Sequence, residues 1–203
     1  VIGFDGSDDY IRSRYTVGML LGATIALKVT PRETTDSGFI SIGVSVTSAD
    51  WYTSIRRDDF TGIRATHYAG TTPAMRSNCT VGNAPEGVSR SVAVRCKDSS
   101  ASPDIYLDGQ LDNAVSGTSD GGAAGNGYLY VGTGVKGPAY CDIEYVYIWD
   151  RELSAEEIAL LHREPYCMFT RPVDIGAFEY VASGGGGLSI PVAMHHYNLL
   201  RSI

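Results

Sequence analysis

The sequence predicts an all-β fold, a two-sheet antiparallel sandwich closed by one short C-terminal helix and followed by an extended tail. Three observations carry this reading. Short runs of apolar and polar alternation recur between turn signals, as half-buried strands require. Glycine-rich turns separate them, and 24 glycines and 13 tyrosines among 203 residues, 43% of them hydrophobic, suit short strands and exclude a disordered chain. Finally, a strand signal and a complete helix-start signal stand back to back between Ala139 and His162.

In chain order, residues 2–11 read as a first strand, Val17 to Leu21 as a short apolar run, and Ala23 to Val29 as a strand. In that last strand Ala23, Ile25, Leu27 and Val29 share one face. Pro31 to Gly38 is a polar connection, Phe39 to Val46 alternates again, and two short strands flank residues 58–62. Residues 70–87 read as a loop with one short strand near Cys79. Val92, Val94 and Cys96 alternate with Ala93 and Arg95, and Ile105 and Leu107 with Tyr106. Asp108-Gly109 is a hairpin turn signal, because its two central positions need positive φ. Residues 112–127 read as a loop rich in Gly, Ser and Asn, before the strand around Leu129 and Val131. The expected core includes Val94, Leu107, Leu129, Val131, Val146 and Ile148.

From Ile143 to Trp149 the residues are β-branched or aromatic except Glu144, which predicts the closing strand. Ser154 is a good N-cap, and Glu157 three residues on completes a capping box. Leu153 and Ile158 stand where a hydrophobic staple needs them, His162 and Arg163 suit the last turn, and Pro165 stops the helix. The predicted helix is 155–163.

The string Ile143, Glu144, Val146, Ile148, Trp149, Asp150, Arg151, Leu153, Ser154, Glu156, Glu157, Ile158 resembles the closing strand and helix of concanavalin A-like, laminin G-like jelly rolls. Phe4 to Ile11, FDGSDDYI, is similar to the first strand of that family, and Asp104 to Gln110, DIYLDGQ, to its penultimate hairpin. The resemblance runs over residues 1–163 and implies a jelly-roll sandwich that binds glycans or other surfaces. The helix followed by REPYCMF, Arg163 to Phe169, resembles virion proteins of tailed bacteriophages. That resemblance implies a capsid decoration or fibre component on the virion surface; the alternative is an extracellular lectin module. The division expected is a sandwich with its closing helix over 1–164 and a tail over 165–203.

Charge and motifs exclude several classes. A net charge of -7 with scattered basic residues argues against nucleic acid, and no apolar run is long enough to span a membrane. Val1 to Gly6 lacks the order of a signal peptide. Cys79, Cys96, Cys141 and Cys167 are far apart without C-x-x-C, against a structural zinc site. Three full disulfide pairings stay open beside the favoured reading, buried free thiols at strand positions. Asn78 opens an N-x-T sequon.

Candidate sites are few. Asp142 and Glu144 stand two apart on a strand, as a pair of glycosidase carboxylates could. The resemblance implies a denser E-x-D-x-E string in glucanases of this superfold, so no catalytic residue is assigned and the chain is read as a non-enzyme. Asp5, Asp8 and Asp9 offer hard oxygens, but their spacing does not match a calcium loop, and no metal or cofactor is expected. His67, His162 and the adjacent His195-His196 form no metal set. Tyr106, Tyr128, Tyr130, Tyr145 and Tyr147 alternate out of the core phase. Their rings suit a sugar, a protein partner, or cover by the chain's own helix or tail. In the tail, Ser183 to Gly187 is a flexible SGGGG linker. Leu188, Ile190, Val192, Met194, Tyr197, Leu199, Leu200 and Ile203 make the segment beyond it an apolar assembly arm for other virion proteins or copies of this chain.

Overall fold

The computed structural model describes residues 1–17, 22–33, 36–43, 51–58, 62–67, 74–97, 101–119, 127–134 and 137–167. The expectations for residues 168–203, the linker and assembly arm included, lie outside the described residues. Val1–Pro165 forms one compact unit. Its strands are β1 (Ile2–Asp5), β2 (Ile11–Arg12), β3 (Ala23–Pro31), β4 (Gly38–Gly43), β5 (Trp51–Asp58), β6 (Gly62–His67), β7 (Ala74–Asn78) and β8 (Arg90–Cys96). They continue with β9 (Asp104–Leu107), β10 (Gln110–Leu111), β11 (Val115–Ser119), β12 (Tyr128–Val131), β13 (Thr133–Gly134), β14 (Gly137–Pro138) and β15 (Tyr140–Trp149). The helix is α1 (Ala155–Arg163).

Two large antiparallel sheets result. One has the order β1-β15-β3-β8-β9-β10 and the other β11-β7-β6-β5-β4-β12-β2. Alternation decides which side chains meet between them. Ile25, Leu27, Val29, Val92, Val94, Ile105 and Leu107 from the first sheet join Ile40, Ile55, Ile63, Ala65 and Val131 from the second in one buried cluster. The architecture is therefore the predicted all-β, two-sheet antiparallel sandwich with one short helix.

Of the expected core residues, Val94, Leu107 and Val131 are buried, and Leu129 and Val146 are partly buried against the same cluster. Ile148 is the correction. It pairs with Ile25 and so has the inward phase, yet it is 37% exposed. β1 pairs only with Tyr140 to Ile143, so among the described residues the second half of β15 is a sheet edge without lateral cover. The phase of β15 also changes midway. Ile143 pairs with Val29 and Tyr145 with Lys28, so Glu144 is an extra residue and the inward set passes from Cys141 and Ile143 to Val146.

Other expectations shift as well. The predicted first strand breaks in two, with β1 in one sheet and β2 in the other. Its break is a local turn in which the Ser7 N–H donates to Asp5 Oδ1 at 2.8 Å and Gly6 takes a φ of 79°. The region read as a loop over 112–127 contains β11, which pairs with β7 from Val115 to Ser119. Gly and Ser carry little strand propensity, and the neighbouring strand supplies the order instead. The hairpin turn is as predicted: Asp108 and Gly109 take φ of 50° and 81°.

The helix also follows its sequence signals. The Glu157 N–H donates to Ser154 Oγ at 3.2 Å and the Ser154 N–H to Glu157 Oε2 at 2.8 Å, the two halves of a capping box. Thr24 pins the preceding turn to the sheet, donating to the Arg151 carbonyl at 3.0 Å and accepting from the Leu153 N–H at 2.9 Å. Leu153, Ile158 and Leu161 are buried in consequence. The helix reaches the β9–β10 turn, where a Cβ on Gly109 would stand 3.2 Å from the Ala159 Cα.

Candidate functional site

The outer face of the seven-stranded sheet carries the most unusual chemistry of the described residues. Since Val131, Ile40, Ile55 and Ala65 face the core, the residues between them lie on the opposite face, where Tyr130, Ser41, Ser54, Thr66 and Arg56 are buried as well. One transverse row therefore runs Arg12, Tyr130, Ser41, Ser54, Thr66, Arg76. The row beside it holds Arg56, Arg64 and Asn78.

At the β2 end of that face the aromatic rings are organised around Tyr130. Tyr130 is buried, with Tyr10 against it at a centroid distance of 5.8 Å and Tyr128 edge-on at 6.4 Å. The Arg12 guanidinium stands 4.8 Å from the Tyr128 ring centroid, a cation–π contact. Arg12, Tyr10 and Tyr15 are exposed and Tyr128 is half-buried. Tyr10, Arg12 and Tyr15 were not among the sequence candidates. Their signal was weak, since they lie in a stretch read as one strand and its exit.

On the other sheet Tyr145 and Tyr147 stack at 4.7 Å and Trp149 meets Tyr147 edge-on at 5.8 Å. Tyr145 is buried and its hydroxyl lies 3.3 Å from Ser91 Oγ. Tyr106 is buried too, with Arg95 5.7 Å from its ring centroid. All five predicted tyrosines stand outside the core cluster, but Tyr106, Tyr130 and Tyr145 are covered within the chain, leaving Tyr128 and Tyr147 partly open.

At the far end of the seven-stranded sheet, Arg56 and Arg64 are directly paired across β5 and β6. Arg76 on β7 is diagonal to Arg64, which pairs with Asn78. Arg56 Nη1 donates to Asp36 Oδ2 at 2.7 Å, and both side chains are almost enclosed. The β13–β14 hairpin lies against this face beside β4, where Ser41 Oγ donates to the Thr133 carbonyl at 3.3 Å. In the sequence these arginines stand far apart, so no basic cluster was visible. Only the period-two phase, with Arg56 after Ile55 and Arg64 after Ile63, hinted at a common face.

The acidic candidates are less suggestive. Asp142 is held by Arg32 Nε at 2.8 Å and Glu144 by Lys28 at 2.8 Å, so each carboxylate has its own cation. Asp5, Asp8 and Asp9 are exposed, and one carboxylate oxygen from each lies within 4.8 Å of the other two. His67 is fully buried, with Nδ1 3.2 Å from Thr53 Oγ1, and burial pushes its pKa down to about 4. Cys79, Cys96 and Cys141 are buried free thiols, and Cys167 is free and half-buried. Burial pushes the Cys96 and Cys141 thiols up to about 12.

A jelly-roll sandwich with aromatic and cationic side chains on its sheet faces defines a protein of the lectin-like class in architecture. The chain belongs to the concanavalin A-like lectin/glucanases superfamily, whose laminin G-type family model matches residues 5–159. Similar solved structures include the Trypanosoma rangeli sialidase, with a TM-score of 0.54 and 19% identity over 75% of this chain and 24% of that one. They also include the native heptameric SAP-like pentraxin from Limulus polyphemus, with a TM-score of 0.55 and 13% identity over 79% of this chain and 80% of that one. At these identities the likeness is one of fold, and the chain spans about a quarter of the sialidase. A comparison with curated proteins returns no match.

Proposed function

We propose that this chain is a non-enzymatic binding module that recognises glycans at the β2–β12 edge of its seven-stranded sheet. The observation that carries this is the anchoring of Tyr10 and Tyr128 on buried Tyr130, with Arg12 over the Tyr128 ring. Rings held in place lose little entropy when a sugar stacks on them, and Arg12 adds a donor to its hydroxyls. The test is calorimetric titration of the whole chain with a panel of oligosaccharides. At least one should bind, and Tyr10→Ala with Tyr128→Ala should lower its affinity by about tenfold or more, about 1.4 kcal/mol, without moving the thermal midpoint. Absence of binding across the panel, or full binding by the double variant, sinks the reading.

The non-enzymatic part rests on Asp142 and Glu144, whose ion pairs with Arg32 and Lys28 occupy the two carboxylates a glycosidase would need free. Polysaccharide hydrolysis that disappears in Glu144→Gln would overturn it. For the setting, we read the chain as a component of a bacteriophage virion surface, with the apolar segment 188–203 as its arm toward other virion proteins or copies of itself. The strings at 143–158 and 163–169, and the apolar content of the arm, support that setting. Removing residues 184–203 should leave a folded sandwich that no longer assembles; unchanged assembly would reject the arm.

A further inference from the structure

We infer that the cleft between the β9–β10 hairpin and the Thr80–Asn83 turn is a second site, for a single neutral hexose unit. It goes beyond the aromatic edge and does not depend on it, because β10 ends the six-stranded sheet whereas the aromatic edge ends the seven-stranded one.

The cleft has a volume of about 280 Å³, just under the roughly 300 Å³ at which pockets for drug-sized ligands begin. It has room for one small ring and not for a longer chain. Leu107, from the core cluster, and Leu111, which is 58% exposed, supply its apolar lining. Covering Leu111 with the C–H face of a sugar ring would remove apolar surface from water.

The polar lining is held in place before any ligand arrives. The Asp108 carboxylate accepts from the Ser91 N–H at 3.0 Å and from Arg90 Nη1 at 2.6 Å. The Asp112 carboxylate accepts from the Thr80 N–H at 3.0 Å, the Thr80 hydroxyl at 2.7 Å and Asn83 Nδ2 at 2.5 Å. Side chains braced in this way lose little entropy when a ligand binds.

Hydrogen-bonding capacity remains on the same lining. Gln110 is exposed, and its amide makes no hydrogen bond among the described residues. Arg90 Nε also makes none, although that side chain is only partly covered. Each Asp108 oxygen accepts one bond and can take another, and the Asn83 side-chain carbonyl is unspent. Donors and acceptors side by side suit hydroxyls, which do both.

Charge narrows the ligand further. The lining holds two carboxylates and one guanidinium, and Arg90 is already paired with Asp108, so an acidic sugar would meet the surplus charge of Asp112. A cationic amine gains little from Asp112, because Thr80 and Asn83 already take three of its roughly four acceptor sites. A neutral sugar avoids both costs.

The test titrates the whole chain, followed by ligand-observed NMR, with the methyl glycosides of glucose, mannose and galactose and with methyl glucuronide. At least one neutral glycoside should bind, and the glucuronide should bind it at least about fivefold more weakly. Gln110→Ala should weaken the neutral glycoside by about fivefold, and Gln110→Ala with Leu111→Ala by about tenfold or more, with thermal midpoints unchanged because both side chains are exposed. Tyr10→Ala with Tyr128→Ala should leave this binding as it was. The inference fails if no neutral glycoside binds, if the Gln110 and Leu111 variants bind as tightly as the parent, or if the glucuronide binds equally well. It fails also if the tyrosine pair alone abolishes binding, since the sugar then sits at the aromatic edge. Glycoside binding that survives the tyrosine pair and is lost with Gln110 and Leu111 upholds the cleft whatever becomes of that edge.

Discussion

Ile25 and Ile148 face each other across β3 and β15, yet Ile25 is fully buried and Ile148 is 37% exposed. The pair is symmetric in register and unequal in cover, because β3 is flanked by β15 and β8 while β15 has β1 beside it only as far as Ile143. Ile25→Ala should therefore cost about 2 to 5 kcal/mol, and Ile148→Ala less than about 1.5 kcal/mol. Denaturant titration of the two variants checks this; equal losses would mean that β15 is covered along its whole length.

The helix cap gives a pH dependence. Hydrogen bonds from Arg151, and then from the Ser154 N–H, pull the Glu157 carboxyl down to about 2 from an ordinary 4.5. A depressed carboxyl adds stability that is whole above pH 4.5 and is lost as pH falls through about 2. Both side chains are substantially exposed, so the effect is screened and small. Ser154→Ala should cost roughly 0.5 to 2 kcal/mol at neutral pH. Glu157→Gln should flatten the acid limb of helix ellipticity between pH 4.5 and 2, and an unaltered limb would reject the capping box as its cause.

His67 titrates in the same direction for a different reason. Burial favours its neutral form, lowering the pKa from 6.5 to about 4, so the unfolded chain binds the proton first as pH falls. Its contribution is whole above pH 6.5 and is lost between 6.5 and about 4, a decline on the order of 3 kcal/mol. His67→Gln should remove that slope from the pH profile of unfolding. A parent protein whose stability is level across that window would show that His67 is not buried neutral.

Arg57 is a charge the core does not accommodate. It is fully buried, pairs with Ile63 on the inward face, and none of its guanidinium nitrogens makes a hydrogen bond. Burial pushes its pKa down for want of a close partner. Arg57→Met keeps most of the volume and removes the desolvation penalty, so it should raise stability by about 1 kcal/mol or more. A drop in the thermal midpoint would mean that a partner satisfies this guanidinium.

Thiol chemistry separates the cysteines. With their thiols pushed up to about 12 and enclosed, Cys96 and Cys141 should resist a disulfide reagent at pH 8 in the native protein, while Cys167 reacts. Denaturant should expose all four. Rapid native reaction at Cys96 would place that strand at the surface.

By itself the sequence determined whatever depends on neighbours along the chain. The Ser154–Glu157 cap, the Asp108-Gly109 turn and the alternation of Val92 to Cys96 are local, since hydrogen bonds and φ preferences act within a few residues. Tertiary structure decided what depends on pairing between distant strands. Ile148 has the right phase, but its exposure is set by how far β1 runs beside β15. Tyr130 and Tyr145 alternate outward as predicted, and the surrounding chain then buries them. Arg56, Arg64 and Arg76 look scattered because charge counts follow the chain, while the registers of β5, β6 and β7 place them side by side. Alternation fixes the face a residue takes, but register and the extent of neighbouring strands fix its company there, and these are set by contacts across the whole sandwich.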